Sequence, residues 1–269
     1  MAADKQSQQG FLYEKNVATF LKKRGLVDPK FNPAGSTSKQ ADLEMILEKK
    51  KVNVELKITA ASGGSLVLKW NRGKWQFDDV SNNPEKQFLV DLAKSSGALN
   101  KINKLWNKIP VKHADLNSSN KSEKMLALRW KNSKSRSEKD AVYDAELLKF
   151  PEINEELNGN VIAEYYGMKD TYYVNIGTSG FYLFGSDDPA KINKKCAAKG
   201  IPLVPSFSKA AKVKYRARVQ AKGGGNFQYT FELSFSVLKS KQSPYNIGPC
   251  TGEGNVAIIP RLVNIDCFL

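Results

Sequence analysis

Histidine is almost absent from this chain: His113 is the only one in 269 residues. A single imidazole excludes catalytic and zinc sites that need two or more. Lying between Lys112 and Ala114, His113 reads as a surface residue. The three cysteines, Cys196, Cys250 and Cys267, are odd in number and far apart, with no Cys-x-x-Cys pair, so neither a disulfide framework nor a zinc site is expected. No apolar run reaches the roughly 20 residues that cross a bilayer, and Met1 to Gln6 is no signal peptide. The expectation is a soluble, intracellular, cytoplasmic protein with no membrane partner. A phosphate-loop motif is also missing, which argues against a nucleotide cofactor.

Acidic residues are missing over a long interval as well. None occurs between Pro189 and Phe231, while Lys191, Lys194, Lys195, Lys199 and Lys209 fall within it. Further along the same interval Val213, Tyr215, Ala217 and Val219 alternate with Lys212, Lys214, Arg216 and Arg218. A strand would line up those four cations on one face, with Lys222 following. Gly223 to Asn226 then turns the chain into a second alternating stretch, Phe227 to Phe235, so the segment reads as a basic hairpin. Over the whole chain 42 Lys and Arg face 27 Asp and Glu, giving +15 and a pI near 9.5. Such a surplus favours polyanions, and nucleic acid is the expected partner. A solvated outer face or an acidic protein partner would account for the same hairpin. A second basic stretch, from Lys101 to Lys139, carries Trp106 and Trp130, which read as packing anchors or base-stacking platforms.

The chemistry is concentrated in two short stretches, Ala41 to Leu47 and Val52 to Ile58. Leu43, Met45 and Leu47 share one strand face, and Val52, Val54, Leu56 and Ile58 share one face of the next. The opposite faces carry Asp42 and Glu44, then Glu55 and Lys57. Paired as a hairpin, these strands place Asp42 close to Glu55 and Lys57. Two carboxylates then meet one ammonium, a combination suited to a Mg2+ ion that keeps positions open for water and phosphate. An ordinary amphipathic hairpin with a solvated face accounts for the same residues, but two neighbouring features tell against it. Upstream, Tyr13, Val17, Phe20 and Leu21 recur at helical spacing and Gly25 marks a stop, with Glu14 on the flank of the buried stripe. Glu14 either reaches the carboxylate pair or is solvated. The polar turn from Asn32 to Gln40, with Ser36 and Lys39, supplies hydroxyl, N–H and ammonium groups for a phosphate.

In this order, Glu14 on a helix, the Gly-Ser turn, Ala41-Asp42-Leu43 and Val54-Glu55-Leu56-Lys57 resemble the PD-(D/E)xK nuclease superfamily, above all its Holliday-junction-resolvase and restriction-endonuclease-like branches. The resemblance covers about the first sixty residues. It implies that Asp42, Glu55 and Glu14 hold the metal, with the Leu56 backbone carbonyl as a further ligand and Lys57 as the catalytic lysine. Ala41 stands where the motif has Pro, and Ile58-Thr59 follow the lysine where some branches place a polar residue.

The fold class expected is α+β, an α/β nuclease core with a restriction-endonuclease-like mixed sheet and flanking helices, followed by a β-rich basic module. Boundaries are expected at 1–115 for the core, 116–145 for a basic flexible connection and 146–269 for the second module. Ser65 to Trp70 and Lys74 to Phe77 form a second hairpin that extends the motif sheet. Helices are expected over Pro84 to Leu99, Asn100 to Lys108 and Asp187 to Gly200. The Asn- and Ser-rich stretches at 117–122 and 132–137 read as mobile loops. Strands are expected at Val161 to Tyr166, Tyr172 to Ile176, Phe181 to Phe184 and Ala257 to Ile265. Val174-Asn175-Ile176-Gly177 superficially matches part of the GIY-YIG nuclease signature, but the preceding strand lacks the partner motif, so that reading is rejected.

The function expected is a Mg2+-dependent DNA endonuclease, with Mn2+ able to substitute and a homodimer compatible with cutting both strands. Three alternatives compete: a non-catalytic nucleic-acid binder on the same scaffold, a junction-specific nuclease and a ribonuclease.

Overall fold

The computed structural model describes residues 2–33, 41–47, 49–60, 62–111, 115–222 and 226–247. They form two compact units, and chain order interleaves them. The first takes Met1–Ala61, Leu157–Val213 and Phe235–Leu269, and the second Ser62–Glu156 and Lys214–Ser234. The sequential segments 1–115, 116–145 and 146–269 do not follow this interleaving. Fold class is mixed α and β, with eight α-helices and two sheets among the described residues.

The first unit is built on a four-stranded sheet in the order β1-β2-β6-β7. Strand β1 (Leu43–Leu47) runs antiparallel to β2 (Lys50–Lys57) with Leu43 opposite Val54 and Leu47 opposite Lys50. Strand β6 (Thr171–Ile176) lies parallel to β2, and β7 (Gly180–Leu183) antiparallel to β6, so the sheet is mixed. The long helix α1 (Ala2–Lys22) lays its Tyr13, Val17 and Leu21 stripe on Leu43, Met45, Val54 and Leu56, all buried. Its stop is Gly25, at φ 71°, the left-handed conformation that glycine adopts without penalty. Helix α7 (Ile192–Ala198) adds Ile192 and Cys196 to this core.

The other sheet face carries an aromatic cluster. Helices α6 (Asn160–Gly167) and α8 (Phe207–Ala210) pack together, with Tyr166 stacked on Phe184 and Phe207 edge-on to Tyr182, Phe184 and Phe235. The close approach depends on Gly159: a Cβ there would lie 2.3 Å from the Ser208 carbonyl oxygen.

Helix α6 corrects the strand expected at Val161 to Tyr166. Ile162, Tyr165 and Tyr166 are its buried residues, spaced i, i+3, i+4 on one helical face. Glu164 is exposed, and the five apolar residues around it fit either period; here the helical one prevails. The strand expected at Ala257 to Ile265, the Gly223 turn, His113, Cys250 and Cys267 lie outside the described residues.

The second unit carries a five-stranded sheet in the order β4-β3-β9-β8-β5. Strands β3 (Ser62–Asn71) and β4 (Lys74–Phe77) form the expected hairpin around Asn71-Arg72-Gly73, but they extend this sheet rather than the motif sheet. Strand β5 (Ile153–Leu157) lies at the far edge beside β8 (Ala211–Lys222), whose other neighbour is β9 (Asn226–Val237). Around the sheet stand α2 (Pro84–Ser95), α3 (Ala98–Leu105), α4 (Lys121–Asn132) and α5 (Arg136–Leu147). Trp75 and Trp106 sit fully buried among Phe150 and Tyr229. The indole N–H of Trp75 donates to the Trp106 carbonyl at 2.6 Å, and that of Trp106 to the Pro151 carbonyl at 2.9 Å. Trp106 is a packing anchor.

Helices α4 and α5 fill most of 116–145, where a flexible connection is expected, and of the two Asn- and Ser-rich stretches 117–120 and 133–135 stay outside the helices. The Asn and Ser residues that suggested loops are their caps: the Asn120 side chain accepts from the N–H of Ser122 and Glu123, and Ser135 from that of Glu138. Glu138 reciprocates by accepting from the Lys134 N–H at 2.7 Å, which satisfies donors the helix start leaves open.

Candidate active site

Asp42 immediately precedes β1, and the register that pairs Leu43 with Val54 brings it level with the far end of β2. There the ladder gives way to side-chain contacts: the Leu56 N–H donates to Asp42 Oδ2 at 3.0 Å. The Leu56 carbonyl leaves β2 from the same strand edge as that N–H. Lys57 Nζ lies 3.5 Å from Asp42 Oδ2 and donates to Glu55 Oε1. A second donor reaches the same Glu55 oxygen, the Tyr166 hydroxyl at 3.1 Å. The contacts to Asp42 thus fall on Oδ2 and those to Glu55 on Oε1, so Oδ1 and Oε2 take part in none of them.

Glu55 is buried, at 7% exposure, which sets aside a merely solvated outer face. Burial cost explains the electrostatics. It pushes Asp42 above the ordinary carboxylate range, reinforced by the Glu55 charge and opposed by Lys57 and the Leu56 N–H. At Lys57 burial works against the charged form, yet the Glu55 and Asp42 carboxylates outweigh it and drive the ammonium upward, so it is a donor and not a base at neutral pH. Glu14 is pushed up to about 7 by burial first, then by the Asp42 charge, with Lys57 opposing and Glu55 adding. Helix α1 therefore brings Glu14 within charge range of the other three groups.

The arrangement can bind a hard divalent cation through Asp42 Oδ1, Glu55 Oε2 and the Leu56 carbonyl, since these are oxygen donors of the type such ions require. Among the described residues, however, no three His, Cys, Asp or Glu side chains form a metal-binding group. Glu14 is an electrostatic neighbour of the pair and not a third carboxylate in contact with it. Glu44, from the same alternation, pairs instead with Lys51 at 2.7 Å.

The basic hairpin is more complex in space than in sequence. Val213, Tyr215 and Ala217 are buried, so Lys212, Lys214, Arg216 and Arg218 do share the opposite face of β8. Arg216 and Arg218 are paired with acids. Arg216 Nε lies 3.1 Å from Glu232 Oε2 and Arg218 Nε 3.4 Å from Glu152 Oε1, with the cross pairs at 3.8 and 3.4 Å. Glu232 comes from β9, one residue past the acid-free interval, and Glu152 from the start of the β5 segment. Ser36, Lys39 and the side chain of Lys222 lie outside the described residues. In the second unit Trp130 is half-buried, edge-on to Tyr143 at 4.8 Å, with Lys139 Nζ 5.3 Å from its ring centroid.

Sequence reasoning missed Tyr166. The available signal was the i, i+3, i+4 spacing of Ile162, Tyr165 and Tyr166, which places all three on the sheet side of a helix. Compared with protein-family models, curated proteins and solved structures, the chain matches none.

Proposed function

We propose that the chain is a Mg2+-dependent DNA endonuclease of the PD-(D/E)xK kind, hydrolysing phosphodiester bonds at Asp42, Glu55 and Lys57. The observation that carries this reading is the convergence of two carboxylates and one ammonium where β1 meets the end of β2, with one oxygen of each carboxylate left outside the triad's own contacts. The mixed sheet, in which β6 lies parallel to the Glu55-Lys57 strand, and α1 with Glu14 on its flank support it. The charge of +15 suits a polyanionic substrate.

In this reading Asp42, Glu55 and the Leu56 carbonyl hold the cation, with Glu14 supporting the site. The cation, when bound, supplies charge neutralisation at the phosphoryl group and lowers the pKa of water. Lys57 orients the attacking water and stabilises charge on the non-bridging oxygens. Water oxygen bonds to phosphorus as one P–O ester bond breaks; the water gives up a proton to solvent, and the leaving oxygen takes one from solvent and departs as a hydroxyl. DNA is preferred over RNA on the resemblance alone, and cytoplasmic residence and a homodimer belong to the same proposal. Among the described residues no helix is long and apolar enough to cross a membrane.

A second reading, a non-catalytic nucleic-acid binder, draws on one observation: Lys57 contacts both carboxylates, the pairing that a purely structural ion pair also makes. One experiment separates the two. Wild type, Asp42→Ala and Lys57→Ala are incubated with supercoiled plasmid, linear duplex, a four-way junction and single-stranded RNA, in Mg2+, Mn2+ or EDTA. Metal-dependent cleavage by wild type alone, with DNA retention intact in Lys57→Ala, is the expected result. Salt-sensitive retention by all three proteins with no cleavage anywhere would move the reading to the binder.

A further inference from the structure

We propose that Tyr166 is a positioning residue of this site, its buried hydroxyl holding Glu55 Oε1 so that Oε2 faces the divalent cation and Lys57 is released to the substrate. The inference rests on the metal-dependent nuclease reading.

Glu55 Oε1 receives two donors, Lys57 and Tyr166, and they differ in kind. The ammonium sits on a flexible four-carbon stem and is shared with Asp42. During the reaction it must also serve water or phosphate, and a carboxylate held by Lys57 alone would lose its orientation each time the ammonium turned away. Tyr166 has no such second task. It is 1% exposed, and its ring lies parallel to Phe184 at 4.1 Å and 6°. Tyr165 meets the ring edge-on at 5.2 Å, and Lys169 Nζ stands 5.4 Å from its centroid. Helix α6 packs against β6, the parallel neighbour of the Glu55 strand. The hydroxyl is therefore fixed to the sheet by the ring that carries it. Groups of this type, which bond to a metal ligand and not to the metal, typically change metal affinity by about 10- to 100-fold when removed.

The test compares wild type, Tyr166→Phe and Tyr182→Phe. Both substitutions remove one hydroxyl from a buried tyrosine of the same unit, but that of Tyr182 donates to the Ser179 and Lys241 carbonyls. Free Mn2+ is titrated by electron paramagnetic resonance, with thermal unfolding in EDTA and plasmid cleavage in parallel. The expected result is Mn2+ affinity lower by about tenfold or more in Tyr166→Phe and unchanged in Tyr182→Phe. Wild-type affinity in Tyr166→Phe, or an equal loss in both variants, overturns the proposal. Should Tyr166→Phe fail to fold, Phe184→Leu keeps the hydroxyl while removing the stacked ring, and unchanged Mn2+ affinity there would likewise overturn it. Wild type that binds Mn2+ without cutting any nucleic acid removes the nuclease reading and leaves the Tyr166 comparison decided by the titration. Wild type that binds no Mn2+ removes both.

Discussion

At the scale of single residues, the site holds more negative charge than one ammonium offsets. Glu14 is lifted from its ordinary 4.5 to about 7 by burial and the neighbouring carboxylates. Across that interval the folded chain keeps a proton that the unfolded chain has already lost. The stability belonging to this residue is whole below pH 4.5 and drains away as pH rises through 7. Glu14→Gln, which stays neutral, should flatten the fall of melting temperature over this window in EDTA. An unchanged slope in the variant would show that other groups set it. Lys57→Met belongs to the same scale, since it leaves two carboxylates facing each other without their cation. With the Lys57 side chain 21% exposed, the loss should be about 1 to 3 kcal/mol at pH 7, below the range for fully buried pairs. Urea unfolding should find part of it recovered at acid pH, where Asp42, pushed above its ordinary range by burial and the Glu55 charge, takes up a proton, and an equal loss at neutral and acid pH would rule out the electrostatic cause.

At the scale of elements, α6 is the part on which the candidate site depends most. Its start has no room for a side chain: Gly159→Ala would bring a Cβ to 2.3 Å from the Ser208 carbonyl oxygen, and backbone cannot yield as a flexible side chain does. The variant should lose about 1 to 3 kcal/mol in urea. If Tyr166 acts as proposed, Mn2+ affinity should fall with it, because the whole helix shifts. Helix α5 offers a simpler case. Ser135→Ala removes the cap on the Glu138 N–H and should cost about 1 kcal/mol, with metal affinity untouched.

These elements also show what was legible in the sequence. Alternation at Leu43, Met45, Leu47 and at Val52, Val54, Leu56 specifies both motif strands, because a strand with one face on a core leaves no other register. The stripe of Tyr13, Val17 and Leu21 specifies α1 in the same way. Helix α6 was illegible because Val161, Ile162, Ala163, Tyr165 and Tyr166, around the single charge of Glu164, satisfy either period, and only contacts with Phe184 and Ser208 decide between them. Helices α4 and α5 were not expected for a different reason. Asn120 and Ser135 have the same composition as loop residues, and what makes them caps is the geometry of the turn that follows.

At the scale of the whole molecule, charge is a property of space and not of sequence intervals. The acid-free run from Pro189 to Phe231 predicts four cations in a row, but Arg216 and Arg218 are shared with Glu232 and Glu152. Among the described residues Lys214 on the same face has no acid paired with it. If this face contacts DNA, Lys214→Ala should lower the slope of log affinity against log salt by about 0.9, whereas Arg218→Ala should change it less. Equal effects would mean that the two glutamates release their arginines on binding.

The interleaved chain order has a consequence for the time at which the site comes into being. Asp42, Glu55 and Lys57 are adjacent in the gene, but the tyrosine that completes the carboxylate's surroundings lies 111 residues beyond Glu55, after most of the second unit. At about 5 to 20 residues per second, on the order of ten seconds separate the synthesis of the two. During that time β2 has no parallel neighbour, because β6 has yet to be made. A nascent chain therefore carries the complete motif for seconds before it carries the site, and any product truncated ahead of α6 would keep the first without ever acquiring the second.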